Sequence, residues 1–286
     1  MLKLRIYDTQ FAHGTALGSG DLKIHPREFF WTRHNDSTRP DIAVITESCF
    51  HEVDLIQAKH KVGLIIEPQS IETEPYQRAR NAQFVNKFDF IFTHSQSLIE
   101  TNPEKFKFYP FMGCWIEHAD RKIHDKTKMT SIIASAKTQT FGHRLRHEVV
   151  GKLRGKVDVY GRGYRAVDSK LEALGPYMFS IVIENEKSPT WFTEKLCDCF
   201  AVGTVPIYWG ATKIGEYFDE RGIIQFNSIE ELDSILSGLT EDDYYNRMDA
   251  IKANLAKDEE HGFLPDNIIG ATLARIYNLD GLRKDI

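Results

Sequence analysis

Four polar side chains that could take part in chemistry lie in one stretch of twelve residues, at Glu184, Asn185, Glu194 and Lys195. A carboxylate can stabilise developing positive charge, and an ammonium group can bind a phosphate. An amide can hydrogen-bond to hydroxyl groups. The grouping indicates a ligand site, provided that the fold brings the two pairs of residues together.

The flanking sequence predicts the elements that would position these residues. Met178–Ile183 is an apolar, β-branched run that is typical of a strand buried on both faces. Thr193 can cap a helix with an apolar stripe, Gly203 ends that helix, and Val205–Trp209 predicts a second strand. This is a βαβ unit. Its loop and helix N-terminus would lie at the carboxyl end of the first strand, where open α/β sheets bind ligands.

The same stretch resembles the donor-binding signature of the α1,3/α1,4-fucosyltransferases. That signature commonly contains Phe-Glu-Asn, then Thr-Glu-Lys at the start of a helix, then a strand with Val-Pro or Ile-Pro. The corresponding segments here are Ile183-Glu184-Asn185, Thr193-Glu194-Lys195 and Val205-Pro206-Ile207. This sequence departs from the pattern at Ile183, where the family has Phe, and at Trp191, where it usually has Tyr.

The resemblance implies an inverting glycosyltransferase, foremost an α1,3-fucosyltransferase that moves L-fucose from GDP-fucose to a glycan hydroxyl. It also implies the GT-B fold, in which two Rossmann-like domains face each other across a cleft. The alternation of strand and helix patterns supports, by itself, an α/β class with two lobes. We expect an acceptor-side domain at residues 1–125 and a donor domain, which ends in helices, at residues 126–286.

The resemblance also assigns donor-binding residues. Lys195 and Arg144 are expected to bind the diphosphate. Arg144 lies 13 residues before Val157-Asp158-Val159-Tyr160-Gly161, and family members often place an arginine at that distance from such a strand end. Asn185 and Glu194 are expected to contact the donor, so Glu194 is also a candidate catalytic residue.

Three further residues belong to the same segments. Trp191 is expected to stack on the base or ribose of the donor, with packing against the loop proline as the alternative. Glu184 could bind ligand or serve the structure. Arg146 is interpreted as a solvated charge on the helix that carries Arg144.

Glu67 is the candidate catalytic base. The apolar run Val62–Ile66 predicts a buried strand that ends in Glu67 and Pro68, and burial at such a strand end raises a carboxyl pKa towards a value useful for a base. The family has a comparable Gly-Glu-Asn or Gly-Glu-Pro whose Glu is assigned as the base. The alternatives considered for the same role are Glu47, Glu72 and Glu74.

Composition excludes several other classes of protein. A net charge of −5 gives no reason to expect nucleic acid or an anionic membrane as the main partner. No apolar run approaches the roughly 18 residues that span a bilayer, and the N-terminal sequence lacks a signal peptide's apolar region. With four scattered cysteines expected to be free thiols, we predict a soluble cytoplasmic protein of microbial or viral type, not a Golgi-anchored one.

No obligatory metal or other cofactor is predicted. The sequence contains no Asp-x-Asp motif and no His-Glu-x-x-His motif. Cationic side chains and helix dipoles are therefore expected to neutralise the diphosphate. Two alternatives stay open: the same scaffold with another nucleotide sugar, such as GDP-mannose or a UDP-hexose, and a catalytically silent protein that binds a nucleotide sugar or glycan.

Overall fold

The computed structural model describes residues 2–9, 29–32, 39–109, 113–260 and 273. The chain divides into two compact units: a first unit, Met1–Phe111 with Gly262–Ile286, and a second unit, Met112–His261. Each unit contains one sheet whose described strands all pair in parallel. Helices connect most of these strands, so the predicted α/β class with two lobes is confirmed.

The first unit has six described strands in the spatial order β2-β1-β3-β4-β5-β6. The strands are Leu2–Tyr7 (β1), Phe29–Thr32 (β2), Ile42–Thr46 (β3), His60–Ile65 (β4), Phe90–Thr93 (β5) and Phe106–Phe108 (β6). Its described helices are a 3₁₀ helix at Glu47–Glu52, and then Glu74–Ala79 (α1), Ala82–Val85 (α2) and Gln96–Thr101 (α3).

The core of the first unit lies on both faces of its sheet. In β3, Ile42 and Val44 pack on one face, and Ala43 and Ile45 pack on the other. A strand buried on both faces must be apolar throughout, which is why it reads as a continuous hydrophobic run. Leu273, the described residue of the C-terminal segment, packs in this core, although our prediction placed that segment in the second domain.

The second unit has five described strands in the spatial order β11-β10-β9-β7-β8. The strands are Lys128–Ile133 (β7), Asp158–Tyr160 (β8), Tyr177–Ile183 (β9), Val205–Trp209 (β10) and Ile224–Gln225 (β11). The helices are Phe141–Lys152 (α4), Lys170–Leu174 (α5), Glu194–Ala201 (α6), Ile229–Gly238 (α7), Glu241–Tyr245 (α8) and Met248–Glu260 (α9). Three-residue 3₁₀ helices lie at His118–Asp120, Ile214–Glu216 and Glu220–Gly222.

The predicted βαβ unit is confirmed as β9, α6 and β10. Every residue of β9 is buried, since the strand lies inside the sheet between β7 and β10. Thr193 caps α6, its side chain accepting from the Lys195 N–H. The loop between β9 and α6 therefore starts where the sheet ends, with Ile183 paired to Trp209 at the last position of the register.

The segment that precedes β7 is bonded to the second unit. The backbone N–H of Trp115 donates to Asp198 Oδ1 at 2.6 Å. The Lys126 ammonium group donates to the Val202 carbonyl oxygen at 2.9 Å. These bonds place residues 113–126 with the second unit, whereas we predicted the boundary after residue 125. Residues far along the sequence bind this segment through a side chain and a backbone carbonyl, so its composition alone did not assign it to the second unit.

Within the described residues, no helix has both the length and the apolar character needed to cross a membrane. The four cysteines, Cys49, Cys114, Cys197 and Cys199, are all buried, and none of them forms a disulfide bond.

Candidate active site

The carboxyl end of β9 is in direct contact with the first turn of α4. The backbone N–H of Gly142 donates to the Asn185 carbonyl oxygen at 3.0 Å. A Cβ atom at position 142 would lie 1.8 Å from the Glu184 carbonyl oxygen. Only glycine permits this approach. The N-terminus of α4 consequently lies beside the loop that follows β9, close to the predicted ligand site.

A capping box orders the start of α4. Thr140 Oγ1 accepts from the His143 N–H at 3.1 Å, and His143 Nδ1 accepts from the Thr140 N–H at 3.3 Å. Burial, followed by the positive charge of Arg146, lowers the pKa of His143 to about 4. The ring is thus neutral near pH 7, which leaves Nδ1 available as an acceptor. Sequence reasoning missed this cap because His replaces the usual Glu or Gln of the box.

Arg146 lies inside the site and not on the surface. It is 5% exposed, and its guanidinium donates from Nε to the Ile183 carbonyl oxygen at 2.9 Å and from Nη2 to Asn185 Oδ1 at 2.7 Å. Burial lowers its pKa, opposed by the charges of Glu184 and Glu194. The interpretation of Arg146 as a solvated charge is therefore wrong. Its role is to fix the strand end and the Asn185 amide.

Arg144 points to the other side of α4. The residue is exposed, and Nη1 donates to the carbonyl oxygens of Thr138 and Gln139 at 3.3 and 3.2 Å. The guanidinium is thereby held over the loop that leads into α4. Its assignment to the diphosphate stays a prediction.

Glu184 links the end of β9 to the start of α6 through hydrogen bonds. Its carboxylate is fully buried and accepts from the Thr193 N–H and Thr193 Oγ1, both at 2.9 Å, and from Lys195 Nζ at 3.2 Å. A buried carboxylate needs several such partners to compensate its lost hydration. Of the two roles left open for Glu184, the contacts favour the structural one, with Lys195 held in place as a consequence.

Glu194 is an ionised, partly exposed carboxylate between two cations. Its side chain is 19% exposed, and Oε1 lies 3.5 Å from Lys170 Nζ and 3.6 Å from Lys195 Nζ. Burial raises its pKa, but Lys195 and Lys170 outweigh that effect and lower it to about 2. Glu194 therefore carries its negative charge at any ordinary pH, which suits a group that faces positive charge on a sugar ring.

Lys170 and Asp198 complete the charged cluster, and sequence reasoning missed both. Lys170 Nζ lies 2.5 Å from Asp198 Oδ2, and burial raises the pKa of Asp198 while Lys170 lowers it. The spacing of Ser169 and Glu172 is that of a capping box and could have located α5. The pairing of Lys170 with a residue 28 positions away has no local signal.

Trp191 is enclosed by protein, with 1% of its surface exposed. Its backbone N–H donates to Ser188 Oγ at 2.9 Å. In this conformation the indole has no face open to a base or ribose, so the structure supports the alternative of a packing role. An exposed aromatic residue in the same region is Phe141, which is 58% exposed and stacks on Trp209 with 5.5 Å between ring centroids.

Glu67 belongs to the first unit and follows the end of β4. Glu67 is partly exposed, and its backbone N–H donates to Glu47 Oε1 at 2.9 Å. Among the alternatives, Glu47 is 5% exposed, while Glu72 precedes α1 and Glu74 pairs with Arg78. The assignment of Glu67 as the base stays a prediction.

No group of three or more His, Cys, Asp or Glu residues that could hold a metal ion occurs in the part of the chain that the structure describes. At the end of β9, the positive and negative side chains compensate one another. Lys195, Lys170 and Arg146 supply the positive charge, and Glu184 and Glu194 supply the negative charge.

Comparison with known proteins shows which family the second unit resembles. Residues 123–254 match the family described as glycosyltransferase family 10 (fucosyltransferase) C-term. Over 74 residues, 26% of this chain, the sequence is 30% identical to the alpha-(1,3)-fucosyltransferase FucT of Helicobacter pylori. That match spans 15% of the relative's own length. The predicted resemblance to the α1,3/α1,4-fucosyltransferases is thereby confirmed.

Solved structures support the fold over more of the chain. A crystal structure of α1,3-fucosyltransferase with GDP superposes with a TM-score of 0.54 at 17% identity, covering 86% of this chain and 80% of that one. A structure of α1,3-fucosyltransferase with GDP-fucose gives a TM-score of 0.53 at 17% identity and the same coverage. At this identity the likeness concerns the fold alone, which confirms the predicted GT-B class.

Proposed function

We propose that the chain is an inverting glycosyltransferase, and specifically an α1,3-fucosyltransferase, because residues 123–254 match the model of glycosyltransferase family 10. It transfers L-fucose from GDP-fucose to a hydroxyl group of a glycan. The observation that carries this proposal is the cluster of Lys195, Glu194 and Asn185 at the carboxyl end of β9, within the domain that matches the family. The similar crystal structures were solved with GDP and GDP-fucose.

In the proposed donor site, positive groups receive the diphosphate. Lys195 is held by Glu184 and is 27% exposed at the N-terminus of α6, where helix N–H groups also favour an anion. Arg144 adds a second cation near the N-terminus of α4. As the bond between the sugar and the diphosphate weakens, the ring gains positive charge, and the ionised Glu194 stabilises it.

In the proposed transfer step, Glu67 takes the proton of the acceptor hydroxyl. The acceptor oxygen forms a bond to the anomeric carbon on the face opposite the diphosphate, and the bond from that carbon to the diphosphate oxygen breaks. GDP leaves with the electron pair of that bond, and the proton remains on Glu67. This sequence inverts the configuration of the anomeric carbon in a single step.

The donor assignment is tested by thermal unfolding with GDP, GDP-fucose, UDP and UDP-sugars. A ligand that binds only the folded state stabilises it by RT ln(1 + [L]/Kd), about 2.7 kcal/mol at a hundredfold excess over Kd. We expect stabilisation by GDP and GDP-fucose and little by the uridine ligands. Stabilisation by UDP and not by GDP would overturn the donor assignment and favour a transferase for another nucleotide sugar.

Catalysis is tested with Glu67→Gln, which keeps the size of the side chain but removes its basicity. General base catalysis typically contributes 10²–10⁴-fold, so we expect turnover to fall by about that factor while GDP affinity is retained. Near-native turnover would exclude Glu67 as the base. Binding of GDP-fucose by the native protein without either transfer or hydrolysis would instead indicate a silent binding protein.

We also propose a reducing compartment such as the cytoplasm. The support is that all four cysteines are buried and none forms a disulfide bond, which is typical of proteins from reducing environments.

A further inference from the structure

The carboxyl group of Glu47 is bonded to the backbone of the proposed base. Glu47 begins the 3₁₀ helix after β3 and is 5% exposed. Its Oε2 accepts from the Ile66 N–H at 2.8 Å, and its Oε1 accepts from the Glu67 N–H at 2.9 Å. Both carboxyl oxygens are thus used on two consecutive amides at the end of β4.

A second buried side chain, that of Tyr76, binds the carbonyl group of Glu67. The hydroxyl of Tyr76, on α1, donates to the Glu67 carbonyl oxygen at 2.9 Å, and the same hydroxyl lies 3.1 Å from His94 Nε2. Tyr76 and His94 are 3% and 5% exposed. Both main-chain polar groups of Glu67 are therefore bound by buried side chains, although Glu67 itself is partly exposed.

A buried carboxyl group is not needed simply to satisfy the backbone where the chain leaves β4. Two backbone amides at a strand end can be satisfied by water or by neutral acceptors at a smaller desolvation penalty than a buried carboxyl group carries. A buried carboxyl that bonds two consecutive N–H groups fixes the orientation of that peptide. Such support matters most where a side chain must stay within about 0.5 Å of its working position.

We propose that Glu47 is a positioning residue for the transfer reaction: by binding the Ile66 and Glu67 amides, it orients the Glu67 carboxylate towards the acceptor hydroxyl. This inference rests on the proposed function of Glu67 as the base. Glu47 acts through the backbone and does not touch the substrate. Misplacement of a reacting group by about 1 Å can slow a reaction by about 10²-fold, which sets the size of the expected effect.

Glu47→Gln is the primary test, because glutamine keeps the shape but presents only one acceptor oxygen to the two amides. We expect kcat for transfer to fall by about 10- to 100-fold, with the KM for donor and the affinity for GDP unchanged. Glu52→Gln is the matched control on the same 3₁₀ helix and should leave kcat unchanged, since Glu52 bonds neither amide in the contacts above.

A double-mutant cycle distinguishes positioning from general structural support. If Glu47 acts only through Glu67, Glu47→Gln should not slow the Glu67→Gln variant any further, because the energies of coupled residues are not additive. An equal loss in both backgrounds would overturn the proposal. Native kcat in Glu47→Gln, with the fold intact by thermal unfolding, would also overturn it.

Two further outcomes keep this inference separate from the proposed function. Near-native turnover by Glu67→Gln alone rejects the base assignment and this inference with it, whereas a slow Glu67→Gln beside a native Glu47→Gln rejects only the inference. Should Glu47→Gln fail to fold, Glu47→Asp provides the same test, because it keeps the carboxyl group but withdraws its oxygens by one methylene. Native kcat in Glu47→Asp would then overturn the proposal.

Discussion

At the scale of single residues, the charges at the end of β9 are arranged so that each is held by an opposite charge or a dipole. Glu184 holds Lys195, and Lys195 and Lys170 together hold Glu194 in its ionised form. Groups fixed in this way need little reorganisation when charge develops in a reaction. A cluster of this kind can stabilise both a departing anion and a cationic sugar ring.

Two arginines on α4 should separate donor binding from structural support. Arg144→Ala should weaken GDP binding, because a charge-assisted contact to phosphate typically contributes about 1.5–3 kcal/mol, and should leave stability unchanged, because Arg144 is exposed. Arg146→Ala should lower both stability and GDP affinity, since it leaves the Ile183 carbonyl and the Asn185 amide without their donor. Calorimetric titration with GDP and urea unfolding measure the two effects.

Each of these two predictions has a result that would contradict it. Native GDP affinity in Arg144→Ala would remove Arg144 from the donor site. Native stability in Arg146→Ala would show that its two hydrogen bonds contribute little to folding.

The same cations predict how activity responds to chelation. Lys195 and Arg144 are the cations proposed to bind the diphosphate, so transfer should survive EDTA with at most a small loss. The measurement is turnover in EDTA, with Mg²⁺ and Mn²⁺ added back in turn. Complete loss of turnover in EDTA, with full recovery in Mn²⁺, would show that a metal ion carries the leaving-group charge instead.

The burial of Arg146 could have been predicted from helix periodicity. Gly142, Leu145, Arg146 and Val149 follow the i, i+3, i+4, i+7 spacing of one helix face, and all four are buried. The hypothesis instead followed the family spacing, which pointed to Arg144. A buried arginine is rare without partners, and those partners, the last residue of β9 and a residue of the loop that follows it, lie 37 and 39 residues away.

At the scale of elements, the contact between α4 and β9 depends on one glycine. Gly142→Ala should displace the start of α4, because the new Cβ would meet the backbone of Glu184 and not a movable side chain. We expect lower thermal stability and weaker GDP binding together.

Gly151→Ala, in the last turns of the same helix, is the matched control for this substitution. A Cβ at position 151 meets nothing within 4 Å, so alanine should be neutral or stabilise by up to about 1 kcal/mol. Equal behaviour of the two variants would show that α4 adjusts its distance from β9 without consequence.

Long, strongly patterned elements were predictable, and short ones were not. The β9, α6 and β10 assignments hold because buried strands and a capped helix have distinct signatures. β6 and α5, with three and five residues, are too short for a periodic pattern to develop. The 3₁₀ helix that begins at Glu47 is also short, and the hydrogen bonds from its Glu47 carboxyl group to the end of β4 have no local signal.

At the scale of the whole molecule, the number of lobes and the family resemblance of the second unit were predictable, because both depend on local patterns. The position of the boundary between the two units was not predictable. Residues 113–126 are held by Asp198 and by backbone carbonyls such as that of Val202. Tertiary partners of this kind are fixed only when the sheet has formed, so no local pattern records them.

Two buried groups of the first unit should shape the dependence of stability on pH. Burial raises the pKa of Glu47 to about 8, so between about pH 4.5 and 8 the folded protein holds a proton that the unfolded chain releases. Burial lowers the pKa of His94 to about 4, so between about pH 4 and 6.5 the unfolded chain binds a proton that the folded protein does not. The first effect makes stability fall as pH rises, and the second makes it rise.

Above pH 6.5 only the Glu47 effect remains of these two, and Glu47→Gln isolates it. We expect the free energy of unfolding of the native protein, relative to the variant, to decrease from pH 6.5 to 8 by at most about 1.4 kcal/mol per pH unit. Urea unfolding of both proteins at pH 6.5, 7.25 and 8 measures the difference, with Glu52→Gln as the control that should follow the native curve. Parallel curves for the native protein and Glu47→Gln would show that Glu47 is already ionised in the folded state, and that its two amide hydrogen bonds outweigh the desolvation of its charge.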